Sequence, residues 1–220
     1  MTTTIETRTE RAPTKWKKVL FAASLGALSG FFGAMLVLRL GDQGLLGRLG
    51  PSEEIAMLVG LVYVLSGLAI GVGLVAPKAG ARFLNVEDAD EIAEQRVMLT
   101  CSALAMILLG LQLAVAALAA PRGIIPPGTV LAVFVVAAVA IGMLSWRSHR
   151  HQDEFMRAMG REAGAAAFYL TAIAGGTWAL LAHLDYAPLP APLDWLTMIW
   201  SFVLVGTFAV IARNGMLKMR

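Results

Sequence analysis

Met98 to Ala120 contains no charged side chain and no histidine, and the stretch just before it, Asn85–Arg96, is dominated by charge. A helix rises 1.5 Å per residue, so about 20 apolar residues cover the roughly 30 Å of a bilayer's hydrocarbon. The sequence therefore predicts one helix in two solvents. Neither Pro nor Gly interrupts it from Val86 until Gly110. Asn85, with Asp88 three residues later, has the pattern of a capping box with Asp in place of Glu. On this reading the third span extends into water by about three turns, roughly 15 Å.

Five further runs share this character: Val19–Leu38, Ile55–Pro77, Ile124–Trp146, Ala163–Ala182 and Trp195–Ala212. Inside a bilayer the backbone must satisfy its own hydrogen bonds, and these Ala/Leu/Val/Gly runs lack the alternation of barrel strands. Composition agrees. The chain is 58% hydrophobic and 15% charged, against about 45–50% and 25% for soluble domains. The fold class expected is all-α: a polytopic membrane protein of six transmembrane helices, with helix three extended into the cytoplasm. Residues 1–18 read as a disordered basic cytoplasmic tail, 19–213 as the six-helix domain and 214–220 as a cytoplasmic C-terminal tail. No cleavage site suits the first run, which reads as a retained span.

Lys and Arg give the orientation. With the N-terminus inside and six spans alternating, 15 of the 18 basic residues fall inside and only Arg39, Arg48 and Arg122 fall outside. That bias predicts N-in/C-in insertion in a bacterial inner membrane. Ser52 is expected to cap the second helix and Asp194 the last. The leucines of the first outside loop, Leu40, Leu45, Leu46 and Leu49, suit a short piece lying in the interface.

No charged or histidine side chain lies within the six runs, which argues against ion or proton coupling. Gln112, Tyr63, Thr171 and Thr177 are the intramembrane polar candidates. They read first as packing partners and otherwise as the lining of a solute path. His149 and His151 would bind a metal only if further ligands converged, so no metal and no cofactor is expected. Cys101 reads as a small packing residue. Gly26-x-x-x-Gly30, Gly67-x-x-x-Gly71 and Gly175-Gly176 let helices approach closely, within the chain or between copies in an oligomer. None of the nucleotide-binding, elbow-serine or zinc-protease motifs is present, and the protein reads as a non-enzyme.

The charged inside segments remain. Glu87, Asp88, Asp90, Glu91 and Glu94 form a local negative field, and Asp153, Glu154, Arg157 and Arg161 open the fifth helix. Both read as docking surface for a cytoplasmic protein.

Three runs carry a resemblance: Leu84–Glu91 (Leu-Asn-Val-Glu-Asp-Ala-Asp-Glu), Asp153–Ala163 with Phe168-Tyr169 beyond it, and Pro192–Met198 (Pro-Leu-Asp-Trp-Leu-Thr-Met). With them nearly everything after the tail resembles a family of small multi-pass membrane proteins of the sphingomonad type. These are similar in size and layout to membrane components encoded beside a Cro-type helix-turn-helix regulator. The resemblance implies a regulatory or sensory protein whose partners are the lipid bilayer and a cytoplasmic regulator, with no direct nucleic-acid contact. It supplies no catalytic residues. A small permease or lipid-handling protein is the alternative.

Overall fold

A computed structural model describes residues 15–47, 49–76 and 94–215, with the side chains of the first helix described from Ser24 on, Leu25 excepted. Among these residues there are six helices and no strand: α1 Lys15–Asp42, α2 Pro51–Val75, α3 Arg96–Ala117, α4 Pro127–Arg150, α5 Glu154–His183 and α6 Pro192–Arg213. Five of them, α2 to α6, are long and apolar enough to cross a membrane. Large apolar side chains cover the outside, among them Phe32, Val72, Leu131, Val136, Met143 and Ile173. Water would not tolerate such a surface, whereas lipid covers it at no cost. The chain is a multi-pass membrane protein.

The helix starts differ from expectation. Pro51 and Pro192 stand at the first helical positions, because proline's fixed φ and missing N–H suit a place where no intrahelical bond is made. The caps are then Gly50 and Ala191, not Ser52 and Asp194. Glu53 and Asp194 instead reach back to accept the N–H of Gly50 (3.0 Å) and of Ala191 (2.7 Å). Asp153 does cap α5, its carboxylate accepting the Met156 N–H at 2.7 Å. The backbone of α1 is already helical at Lys15, inside the expected tail. The extension of α3 over residues 85–93 lies outside the described residues.

The helices form an inner and an outer set. α2, α3 and α6 meet at the centre, while α1 packs on α2, α4 on α3 and α5 on α6. Without a hydrophobic force to join helices in lipid, close backbone approach has to do so. It occurs between α2 and α3. A Cβ on Gly110 would strike the Gly60 carbonyl oxygen, and one on Gly67 would come to 2.6 Å from the Ala103 carbonyl oxygen. A Cβ on Gly206 of α6 would come to 2.9 Å from the Ala163 carbonyl oxygen of α5, and Gly175 of α5 makes room for Trp195 and Met198. Gly26, Gly30, Gly71 and Gly176, by contrast, face open space. The seams therefore use only part of the expected glycine motifs.

One end of the molecule gathers the turns. Ala56, Met57 and Ala117 are buried there against Leu46, Leu49, Leu118 and Leu193. The first loop thus packs on the helices through Leu46 and Leu49 instead of lying flat in the interface, although Leu45 remains exposed. Gly47, at φ +92°, lets that loop pass against the Arg122 carbonyl, a backbone shape that glycine adopts without strain. Arg122 pairs with Glu53 at 3.2 Å. The other end carries the start of α3, the end of α4, the start of α5 and the end of α6. Arg96, Arg147, Arg150, Arg157, Arg161 and Arg213 lie there, and Arg213 pairs with Glu162 at 2.8 Å.

Candidate functional site

Four of the docking residues expected from sequence, Glu87, Asp88, Asp90 and Glu91, lie outside the described residues. Glu94 is exposed just ahead of α3. On α5, Asp153 is engaged as the cap, Glu154 is exposed in the first turn, and Arg161 is exposed two turns on. Arg157 is half-buried, and its Nε is enclosed without a hydrogen-bond partner among the described residues. Met159 on the same turns is buried and holds this segment to the bundle. The opening of α5 thus carries charges of both signs, packed on the bundle through Met159.

The intramembrane polar residues do not converge. The Tyr63 hydroxyl donates to the Trp200 carbonyl at 2.8 Å, joining α2 to α6. Gln112, 3% exposed, donates through Nε2 to the Phe134 carbonyl at 2.8 Å, joining α3 to α4. Thr171 donates to the Ala167 carbonyl of its own helix. Thr177 is exposed on the outside of α5. No described contact brings these four side chains together. Tyr63 and Gln112 are interhelical links, which is the use apolar surroundings favour for a buried polar group. His149 is exposed, and the His151 ring meets the Arg147 carbonyl through Nδ1 at 2.9 Å. No group of three or more His, Cys, Asp or Glu side chains gathers among the described residues.

A cavity of about 310 Å³ opens at the basic end between α3 and α4. Arg96, Val97, Thr100, Cys101, Leu104, Leu144 and Arg147 line it. Sequence reasoning treated Arg96 and Arg147 only as markers of the water boundary. The signal was present, since the two arginines lie almost equally far from the turn at Arg122 and an antiparallel hairpin brings such positions together.

Comparison of the chain with protein-family models, with curated proteins and with solved structures gives no match. The class defined by the helices, a multi-pass membrane protein, therefore rests on the chain's own physical chemistry.

Proposed function

We propose that the protein is a non-enzymatic regulatory or sensory protein of the bacterial inner membrane, with six spans and both termini in the cytoplasm. α1 supplies the sixth span through its uncharged run Val19–Leu38. The partner is a soluble cytoplasmic regulator of helix-turn-helix type, in keeping with the sphingomonad-type resemblance. It docks on the acidic run Glu87–Glu94 and on the start of α5.

The observation that carries this reading is the segregation of charge. With six alternating spans, 15 of 18 basic residues and the acidic run would fall on one side, while the six uncharged runs carry none. Ionisable groups at depth mark proton relays and many ion paths. A protein that presents a surface needs them at one end. A change in helix packing would shift the population of docking-competent arrangements. The permease reading asks Gln112, Tyr63, Thr171 and Thr177 to surround one space, whereas Tyr63 and Gln112 are each bonded to a different neighbouring helix and Thr177 is exposed.

The test is a gentle-detergent pull-down of the tagged protein from native membranes. A DNA-binding regulator should accompany the wild type. It should be lost when Glu87, Asp88, Asp90, Glu91 and Glu94 are all changed to Lys, while membrane insertion persists. Retention of the regulator after that reversal defeats the proposed surface.

A further inference from the structure

The cavity between α3 and α4 has a composition that helix packing does not call for. Arg96 is the first residue of α3 and Arg147 lies in the last turn of α4. Leu104 stands two turns deeper, and Val97, Leu144 and the buried Cys101 complete an apolar wall. Among the described residues, no acidic side chain lines the space. Two like charges on one small cavity repel each other. Neither arginine has an ion pair among the described residues, where the ion pairs join Arg122 to Glu53 and Arg213 to Glu162.

Thr100 adds a donor. Ser66, Thr171, Thr197, Ser201 and Thr207 each give their hydroxyl to the carbonyl four residues back. Thr100, on the cavity wall, makes no such bond among the described residues. The depth is marked by Trp146, beside Arg147. Trp146 is 65% exposed, with the Arg150 guanidinium 5.2 Å from its ring centroid. An outward Trp under an arginine is the signature of the headgroup layer.

We propose that this cavity binds an anionic phospholipid from the leaflet at the basic end. Arg96 and Arg147 hold the phosphate, the Thr100 hydroxyl donates to it, and one acyl chain lies along Leu104 and Leu144. Guanidinium groups suit phosphate because their paired N–H donors match its oxygens and carry charge. A volume of about 310 Å³ is at the small end of ligand sites, which run from about 300 Å³ upward. It takes a headgroup phosphate and the top of one chain, leaving the remainder in the bilayer. The apolar wall selects a lipid over free phosphate, which gains nothing from leucine. Basic pockets between spans are known to hold phospholipid headgroups. The site does not depend on the docking reading; it requires only that the basic end meet a membrane surface.

Native mass spectrometry of the whole protein tests this, in micelles holding phosphatidylglycerol and phosphatidylcholine in equal amounts. The wild type should retain phosphatidylglycerol in preference. Arg96→Gln with Arg147→Gln should cut that preference about tenfold, the scale of losing charge-assisted hydrogen bonds. Arg96→Lys with Arg147→Lys should restore part of it. Arg150→Gln with Arg213→Gln removes the same charge from the same end and should leave it intact. Leu144→Trp, which fills the apolar wall and keeps both charges, should lower retention of phosphatidylglycerol. It also decides the matter if the double Gln variant fails to fold. Three results overturn the site: equal retention of both lipids by the wild type, an equal loss in the Arg150/Arg213 control, or displacement of phosphatidylglycerol by excess inorganic phosphate.

Discussion

α3 has a neighbour on each side, and the two contacts are built differently. Towards α2 it offers Gly110 and Ala103 to Gly60 and Gly67, so that backbone lies on backbone. Towards α4 it offers Gln112, whose amide reaches the Phe134 carbonyl. Both glycines of α4, Gly128 and Gly142, face open space. Of α4's residues, only Ala137 and Ser148 are buried. Dispersion falls off within an ångström or so of contact distance, so the α2 side gains most of what packing can give. The α4 side carries the Gln112 hydrogen bond and leaves the cavity at the basic end. The α2–α3 pair is the closely packed frame, and α4 lies against it less closely.

The largest effect is expected from breaking the frame. Gly110→Val places a branched side chain against the Gly60 carbonyl, which is backbone and cannot swing away. The cost should reach about 3 kcal/mol or more, beyond ordinary overpacking. It is read as a lower SDS fraction at the unfolding midpoint in mixed micelles. A Val at Gly110 that leaves the midpoint unchanged would mean the seam is not as close as described.

Gln112→Leu probes the other side and should cost less, about 0.6–2 kcal/mol. Phe134 keeps its own helical partner, so no buried acceptor is stranded. Membrane insertion should persist. A collapse of stability would show that α4 depends on Gln112 as strongly as α2 depends on its glycines. The next effect has the opposite sign. Gly142→Ala meets nothing within 4 Å and replaces the poorest ordinary helix former with the best, so α4 should gain up to about 1 kcal/mol. A loss there would reveal a contact on α4's open face.

The sequence carried this frame unevenly. The spans were legible because an uncharged run of spanning length admits only a helix. That Gln112 needs a partner, a backbone carbonyl or a hydroxyl, was legible because a buried amide must bond to something; which of the two was not. The direction each residue faces was not. Gly67 and Gly71 look equivalent in the chain, yet one meets Ala103 and the other meets open space. Azimuth belongs to the pair of helices, not to either alone. The starts of α2 and α6 were misread because Ser52 and Asp194 attract attention as caps, while the prolines before them decide where the helix begins. The cavity was missed because Arg96 and Arg147 are far apart in the chain and each has a sufficient explanation as a boundary charge.

The smallest effect concerns the tie between the two sides. Arg122, in the turn joining α3 to α4, reaches Glu53 at the start of α2, at 3.2 Å. The Arg122 side chain is 60% exposed and that of Glu53 15%. An exposed pair of this kind is worth about 0–1 kcal/mol. Glu53 also accepts the Gly50 N–H, so removing the guanidinium does not leave the carboxylate alone. The packing of Gly47 on the Arg122 carbonyl involves backbone and survives any side-chain change. Arg122→Gln should therefore lower the unfolding midpoint slightly at low salt. The difference should fade towards 1 M salt, where the screening length falls to about 3 Å. If the loss were large and independent of salt, the turn itself would be fastening α4 to the frame. The contrast between the two sides of α3 would then lie in the loop and not in the glycines.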